Sequence, residues 1–149
     1  MNHAELAAEL FKQGYNCSQA VLLAFGDLTG LDEKTASRLS SGFGGGMGRL
    51  REVCGAVSGA FMVLSLRYAE EGVASHEGKS AMYARIQDFA ARVKAQNGSY
   101  LCRELLTGVT QDTSPTPEKR TPEYYRKRPC AELVRDTAAL LDEYLAENP

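Results

Sequence analysis

Histidine is scarce in this chain of 149 residues: His3 and His76 are the only two, and neither has ligand-like neighbours. A Ser/His/Asp arrangement therefore cannot be argued. The acidic residues lie mainly on polar helix faces, which gives a paired-carboxylate catalyst no support. No C-x-x-C pair occurs among the four cysteines. That excludes a thioredoxin-like motif and a paired-knuckle zinc site. β-branched alternation is almost absent, and with it any convincing strand. There is no fixed-period repeat. The longest uncharged run, Val53 to Leu66, is too short and too rich in small residues to span a bilayer. A net charge of -2 gives no reason to expect nucleic acid or an anionic membrane as partner. The opening MNHAELAAELFKQG lacks the charged n-region and apolar h-region of a secretory signal, so a cytoplasmic location is expected.

What the chain does contain is helix. Its length suits one domain with a proper core, and 44% apolar with 24% charged residues is a globular balance. Asn2 caps NHAELAAELFKQG, whose apolar positions are Leu6, Leu10 and Phe11 and whose stop is Gly14. Asn16 and Asp32 open the next two helices. Glu52 to about Glu71 reads as one long, mostly buried helix, and His76 to Gln96 as a polar one closed by Asn97-Gly98. Ser99 is expected to cap YLCRELLTG. TQDTSPTPEKRTPEYYRKRP reads as a long irregular connection, in which EYYRKR is a solvated loop before a helix or, alternatively, a contact for an anion or a partner protein. The last helix carries Leu133, Val134, Ala138, Leu141 and Leu145 at helical spacing. The expectation is an all-α, single-domain bundle of about six helices over residues 1–149.

Cys17, Cys54, Cys102 and Cys130 each fall in or just before the first turn of an expected helix, on its apolar stripe. A helix amino end stabilises negative charge, and thiolate is both the nucleophile and the metal-binding form. Basic residues lie close by in sequence: Arg49 and Arg51, Arg103, Lys127 and Arg128. Four thiolates brought together repel unless a cation or oxidation relieves them, so convergence implies a metal, a cluster or redox pairing. Cysteine also packs as a small hydrophobe, so inert core residues are the alternative. Tyr15 and Tyr100 each lie two residues before a cysteine, as covers for a thiol site or as hydrophobic staples.

The glycine stretch SGFGGGMGRLREVCGAVSGAF has no Gly-Lys-Ser/Thr and no preceding strand, which argues against a phosphate loop. Gly44, Gly45 and Gly46 instead suit backbone shaped around Cys54, with N–H groups that stabilise sulfur. Gly55, Ala56, Gly59 and Ala60 form a side-chain-poor ridge. It suits close helix packing, a bulky inorganic cofactor or a homo-oligomer contact.

GYNCSQAVLLAF, SGFGGGMG, EVCGAVSGA, CRELLTG and CAELV, in that order, resemble the redox-active family named for the pattern C_GCAxxG_C_C. On that resemblance Cys17, Cys54, Cys102 and Cys130 match the family cysteines, and Gly55, Ala56 and Gly59 its small motif. The family label reads Gly-Cys-Ala where this chain has Cys54-Gly55-Ala56. A related domain in a haem-containing cytochrome with an iron–sulfur centre extends the expectation to cluster binding, although no C-x-x-C-H haem motif is present. Three readings stand. The four cysteines bind a metal centre, iron–sulfur favoured over zinc, for electron transfer or sensing with an unidentified redox partner. Alternatively they cycle between thiol and disulfide without a cofactor, with Cys54 as nucleophile because Arg49 and Arg51 flank it. The third reading is a non-enzymatic binding module with inert cysteines.

Overall fold

A computed structural model describes residues 1–69, 74–106 and 112–149. It is all-α, and among the described residues there is no strand. The helices are α1 (His3–Lys12), α2 (Cys17–Ala24), α3 (Gly26–Thr29), α4 (Glu33–Ser40), α5 (Gly44–Met47), α6 (Gly55–Tyr68), α7 (His76–Asn97), α8 (Cys102–Leu105), α9 (Pro122–Lys127) and α10 (Cys130–Glu147). The six of eight residues or more carry the packing, and the other four are single turns or little more. No helix among the described residues is long and apolar enough to cross a membrane.

Local chemistry sets most of the starts. The Asn2 side chain accepts from the Glu5 amide at 2.8 Å. Asn16 and Gln19 form a reciprocal capping box on α2, each side chain accepting from the other's amide at 3.0 Å. Asp32 accepts from Thr35 N at 2.6 Å, and Ser75 from Gly78 N at 3.0 Å. Each cap satisfies one of the orphan amides of a first turn. Gly98, with φ 88°, ends α7 in the left-handed conformation that glycine adopts without strain.

α2 lies along α6 and α1 along α10, with α7 packed across α6 and α10. Their shared core holds Phe11, Val21, Leu22, Phe25, Val57, Leu64, Phe89, Val134, Leu141 and Tyr144. Each such side chain contributes about 1.5–3 kcal/mol by leaving water. At Gly59 an added Cβ would lie 2.7 Å from the Ser18 carbonyl oxygen. The small-residue ridge is therefore filled by α2, and its glycines are buried inside the fold.

Three expected boundaries change. α6 starts at Gly55, not Glu52, because the backbone before it is paired elsewhere. Cys54 N donates to Tyr100 O at 2.9 Å and Cys102 N to Glu52 O at 2.6 Å, around an isolated antiparallel bridge between Val53 and Leu101. Glu71, the expected far end of that helix, lies outside the described residues. Ser99 does not cap the next helix: its hydroxyl accepts from Leu101 N at 3.0 Å, and Leu101 is the residue before α8. Thr107 and Gly108, where that helix was expected to close, are also outside the described residues. Finally, the proline-rich connection contains α9, with Thr121 capping and Pro122 in the first turn.

Candidate functional site

The four cysteines come from four separate helix starts and line one cavity of about 310 Å³. Cys17, Cys102 and Cys130 are the first residues of α2, α8 and α10, and Cys54 immediately precedes α6. All four are free thiols. The electrostatics of the site pair the Cys17 thiol with Cys130, with Cys17 as the donor. Among the described residues, no three His, Cys, Asp or Glu side chains are gathered closely enough to hold a metal ion. The thiols stand around a space rather than around a point.

Their charges differ sharply. The Cys17 hydrogen bond, with help from Arg128, Tyr124 and Arg120, outweighs burial and brings the Cys130 thiol down to about 7. Cys17, the other half of that pair, is raised well above the usual thiol range by the same bond and by burial. Burial pushes Cys54 up to about 12, although the amides of Val57 and Ala56 point at its sulfur. The helix end expected to activate Cys54 is present, but removal from water outweighs it. Arg51, expected beside Cys54, instead places Nη1 3.8 Å from Cys102 Sγ. Burial still leaves Cys102 raised overall.

The glycine stretch bends the chain around this space. Gly45, Gly46, Met47, Gly48 and Arg49 have φ of 66°, 74°, 67°, 63° and 67°, five consecutive left-handed residues. Arg51, with φ 60°, is left-handed too. Glycine takes this conformation freely, whereas Met47, Arg49 and Arg51 do not. At Gly44 and Gly46 there is no room for a side chain. A Cβ on Gly46 would lie 2.6 Å from the Cys102 Cβ, and one on Gly44 2.5 Å from the Asn16 side chain. On Gly55 it would be 3.1 Å from the Cys17 Cβ. The glycines thus bring the backbone against Cys17 and Cys102 as well as leading into Cys54.

Four arginines, Arg49, Arg51, Arg120 and Arg128, also line the cavity. Arg49 donates to Ser114 O at 2.8 Å and to Thr116 O, and Arg51 donates twice to Asp112 O, at 3.2 and 2.9 Å. Arg128 pairs with Glu118, and Arg120 donates to Phe11 O and, at 2.7 Å, to Tyr15 O. These bonds hold residues 112–120 as a strap beside the cysteines, with Pro115, Pro117 and Glu118 on the cavity wall. The wall's acidic neighbours are Glu118 and Asp112, each 4.0 Å from Arg49 Nη2, so positive charge is in excess.

Sequence reasoning missed this strap and the role of Tyr124, whereas Arg128 stands beside Cys130 as its place in the sequence suggested. The EYYRKR stretch is not simply a solvated loop: Tyr124 lines the cavity and Arg128 is buried. Tyr15 bonds Glu33 through its hydroxyl at 3.2 Å, and Tyr100 offers only its carbonyl to Cys54. His76 is exposed at the start of α7.

A comparison with known protein families matches residues 15–144 to the family described as "Putative redox-active protein (C_GCAxxG_C_C)". Comparisons with curated proteins and with solved structures return no match.

Proposed function

The chain belongs to the C_GCAxxG_C_C redox-active family, and from that premise we propose that Cys17, Cys54, Cys102 and Cys130 are the ligands of an iron–sulfur centre used for electron transfer or sensing. The observation that carries this reading is the common cavity with four thiols on its wall. A single tetrahedral ion would need its sulfurs about 3.8 Å apart, given zinc–sulfur bonds near 2.3 Å. A polynuclear centre fills a volume and takes its ligands from around it. The wall's charge fits the same group. Among the described residues, the carboxylates near Arg49, Arg51, Arg120 and Arg128 are Asp112 and Glu118. A centre held by four thiolates is anionic and would meet that excess. When bound, it would supply one-electron chemistry. The chain's own residues would hold the sulfurs, neutralise their charge and keep water away beneath the strap.

A second reading rests on the Cys17–Cys130 contact. As a dithiol, the Cys130 thiolate would attack one sulfur of an acceptor disulfide and expel the other as a thiolate. Cys17 would then attack the Cys130 sulfur, closing an internal disulfide and releasing the second thiolate. In this reading Cys130, rather than Cys54, is the nucleophile, because Cys130 is the thiol that loses its proton most readily.

Anaerobic purification with a visible spectrum and iron, zinc and sulfide analysis on one sample separates the two. Brown protein with stoichiometric iron and sulfide, lost in each single Cys→Ser variant, is the expected result. Colourless, metal-free, helical protein that resists reconstitution overturns the first reading and leaves the dithiol.

A further inference from the structure

Arg51 is a buried cation of this site that forms no ion pair with a carboxylate among the described residues. It keeps 5% of its surface exposed. Arg49 has Asp112 and Glu118 at 4.0 Å, Arg128 has Glu118, and Arg103 has Glu52 at 2.8 Å. Arg51 has no ion pair of this kind among the described residues. Its Nε and Nη2 donate to the Asp112 carbonyl, and its Nη1 faces the Cys102 sulfur at 3.8 Å. The backbone that aims it is left-handed, although the residue is not glycine. That conformation is fixed from both sides: Arg51 N donates to Gly45 O at 3.3 Å, and Arg51 O accepts from Arg103 N at 3.3 Å. A desolvated cation placed on a sulfur stabilises whichever state puts more negative charge there.

We infer that Arg51 is the positioning residue that sets the reduction potential of the cysteine site, acting through the Cys102 sulfur. The inference rests on the metal-centre form of the redox reading above, because Cys102 takes no part in the Cys17–Cys130 disulfide of the second form. Adding an electron to a metal centre makes it more negative. A cation at Cys102 therefore favours the reduced state and raises the potential. Arg49 provides the comparison. It lines the same cavity and holds the same strap, but among the described residues its hydrogen bonds go to Ser114 and Thr116 and not to sulfur.

The test is an anaerobic redox titration of the full chain. It is followed by the visible absorbance of the reconstituted centre. Arg51→Gln keeps a donor for the Asp112 carbonyl but removes the charge. It should shift the midpoint to more negative values by a factor of about ten in the equilibrium constant, which is about 59 mV for one electron. Arg51→Lys keeps the charge and should stay close to the parent protein. Arg49→Gln should move the midpoint less than Arg51→Gln. Equal shifts in the two Gln variants would mean that loosening the strap or changing the general field is what matters, and would overturn the inference. An unmoved midpoint in Arg51→Gln would also overturn it while leaving the redox reading intact. If Arg51→Gln fails to fold by circular dichroism, Arg51→Lys decides: a midpoint displaced as far as tenfold defeats the role assigned to the charge. A parent protein with no measurable couple defeats the metal-centre reading itself, and this inference with it.

Discussion

Gly46 has to be glycine twice over, for its φ of 74° and for the space its missing side chain leaves. A Cβ there would also meet Arg51 Cα and the Glu52 amide, both at 2.8 Å. These are backbone atoms and cannot rotate away. Gly46→Ala should therefore cost about 1–3 kcal/mol, the range for a residue forced into a sparsely populated conformation, read as a lower urea midpoint. It should also displace Cys102 and weaken retention of any bound centre. The thiols differ at the same scale. In metal-free protein, alkylation mapped by mass spectrometry should label Cys130 first, with a rate that rises through about pH 7 as its thiolate forms. Cys54, pushed up to about 12, should stay unlabelled until the fold opens. Equal labelling of the two would contradict the electrostatics of the site. Cys54 illustrates what the sequence could not give. Arg49 and Arg51 lie close to it in the chain, but a left-handed turn sends the Arg51 guanidinium to a cysteine on another helix.

Among the elements, α1 is fastened at its first residue. His3 Nδ1 lies 2.8 Å from Asp142 on α10, and Nε2 lies 2.9 Å from Asp27 on α3. The imidazole stacks on Phe25 at 4.1 Å between ring centroids. Partial burial opposes its charge, but the hydrogen bonds and charges of the two aspartates outweigh it and raise the pKa above 6.5. A pKa higher in the folded than in the unfolded state stabilises the fold fully below the unfolded value. That contribution is lost as pH rises through the folded value. The melting temperature should thus fall between about pH 5.5 and 8.5 by more in the parent protein than in His3→Gln, since histidine titrates in that window. Parallel pH profiles would show that the contact carries no net stability. The α2–α6 contact makes a separate prediction. Gly59→Ala would drive a methyl group to within 2.7 Å of the Ser18 backbone oxygen. Overpacking of this kind costs about 1–3 kcal/mol, and because Ser18 follows Cys17, the loss should come with weaker metal retention. The long helices and their caps were legible because capping is settled within about four residues. α9 was announced by Thr121-Pro122 yet hidden by the prolines around it.

At the scale of the whole molecule, the cavity can be complete only when α2, α6, α8 and α10 are all in place. A ligand that binds only this assembled state adds to stability in proportion to its occupancy, by about 4 kcal/mol at a thousandfold excess over its Kd. Reconstitution with iron and sulfide should therefore raise the melting temperature, and a chelator should return it to the metal-free value. An unchanged transition in protein that has taken up stoichiometric iron would place the metal away from the native cavity.

The sequence by itself determined the all-α class, the positions of most helices and the placing of each cysteine at or beside a helix start. Those features follow from caps, apolar spacing and glycine stops, which act over one or two turns of chain. It also carried the family resemblance, since the order of the cysteine segments is a property of the chain. Tertiary structure decided which cysteine loses its proton most readily, which arginine meets which sulfur, and that residues 112–120 lie beside the cavity. Burial and electrostatic contact depend on what surrounds a group in space. Arg51 and Cys102 become neighbours only after the glycine turn has reversed the chain and Val53 has paired with Leu101.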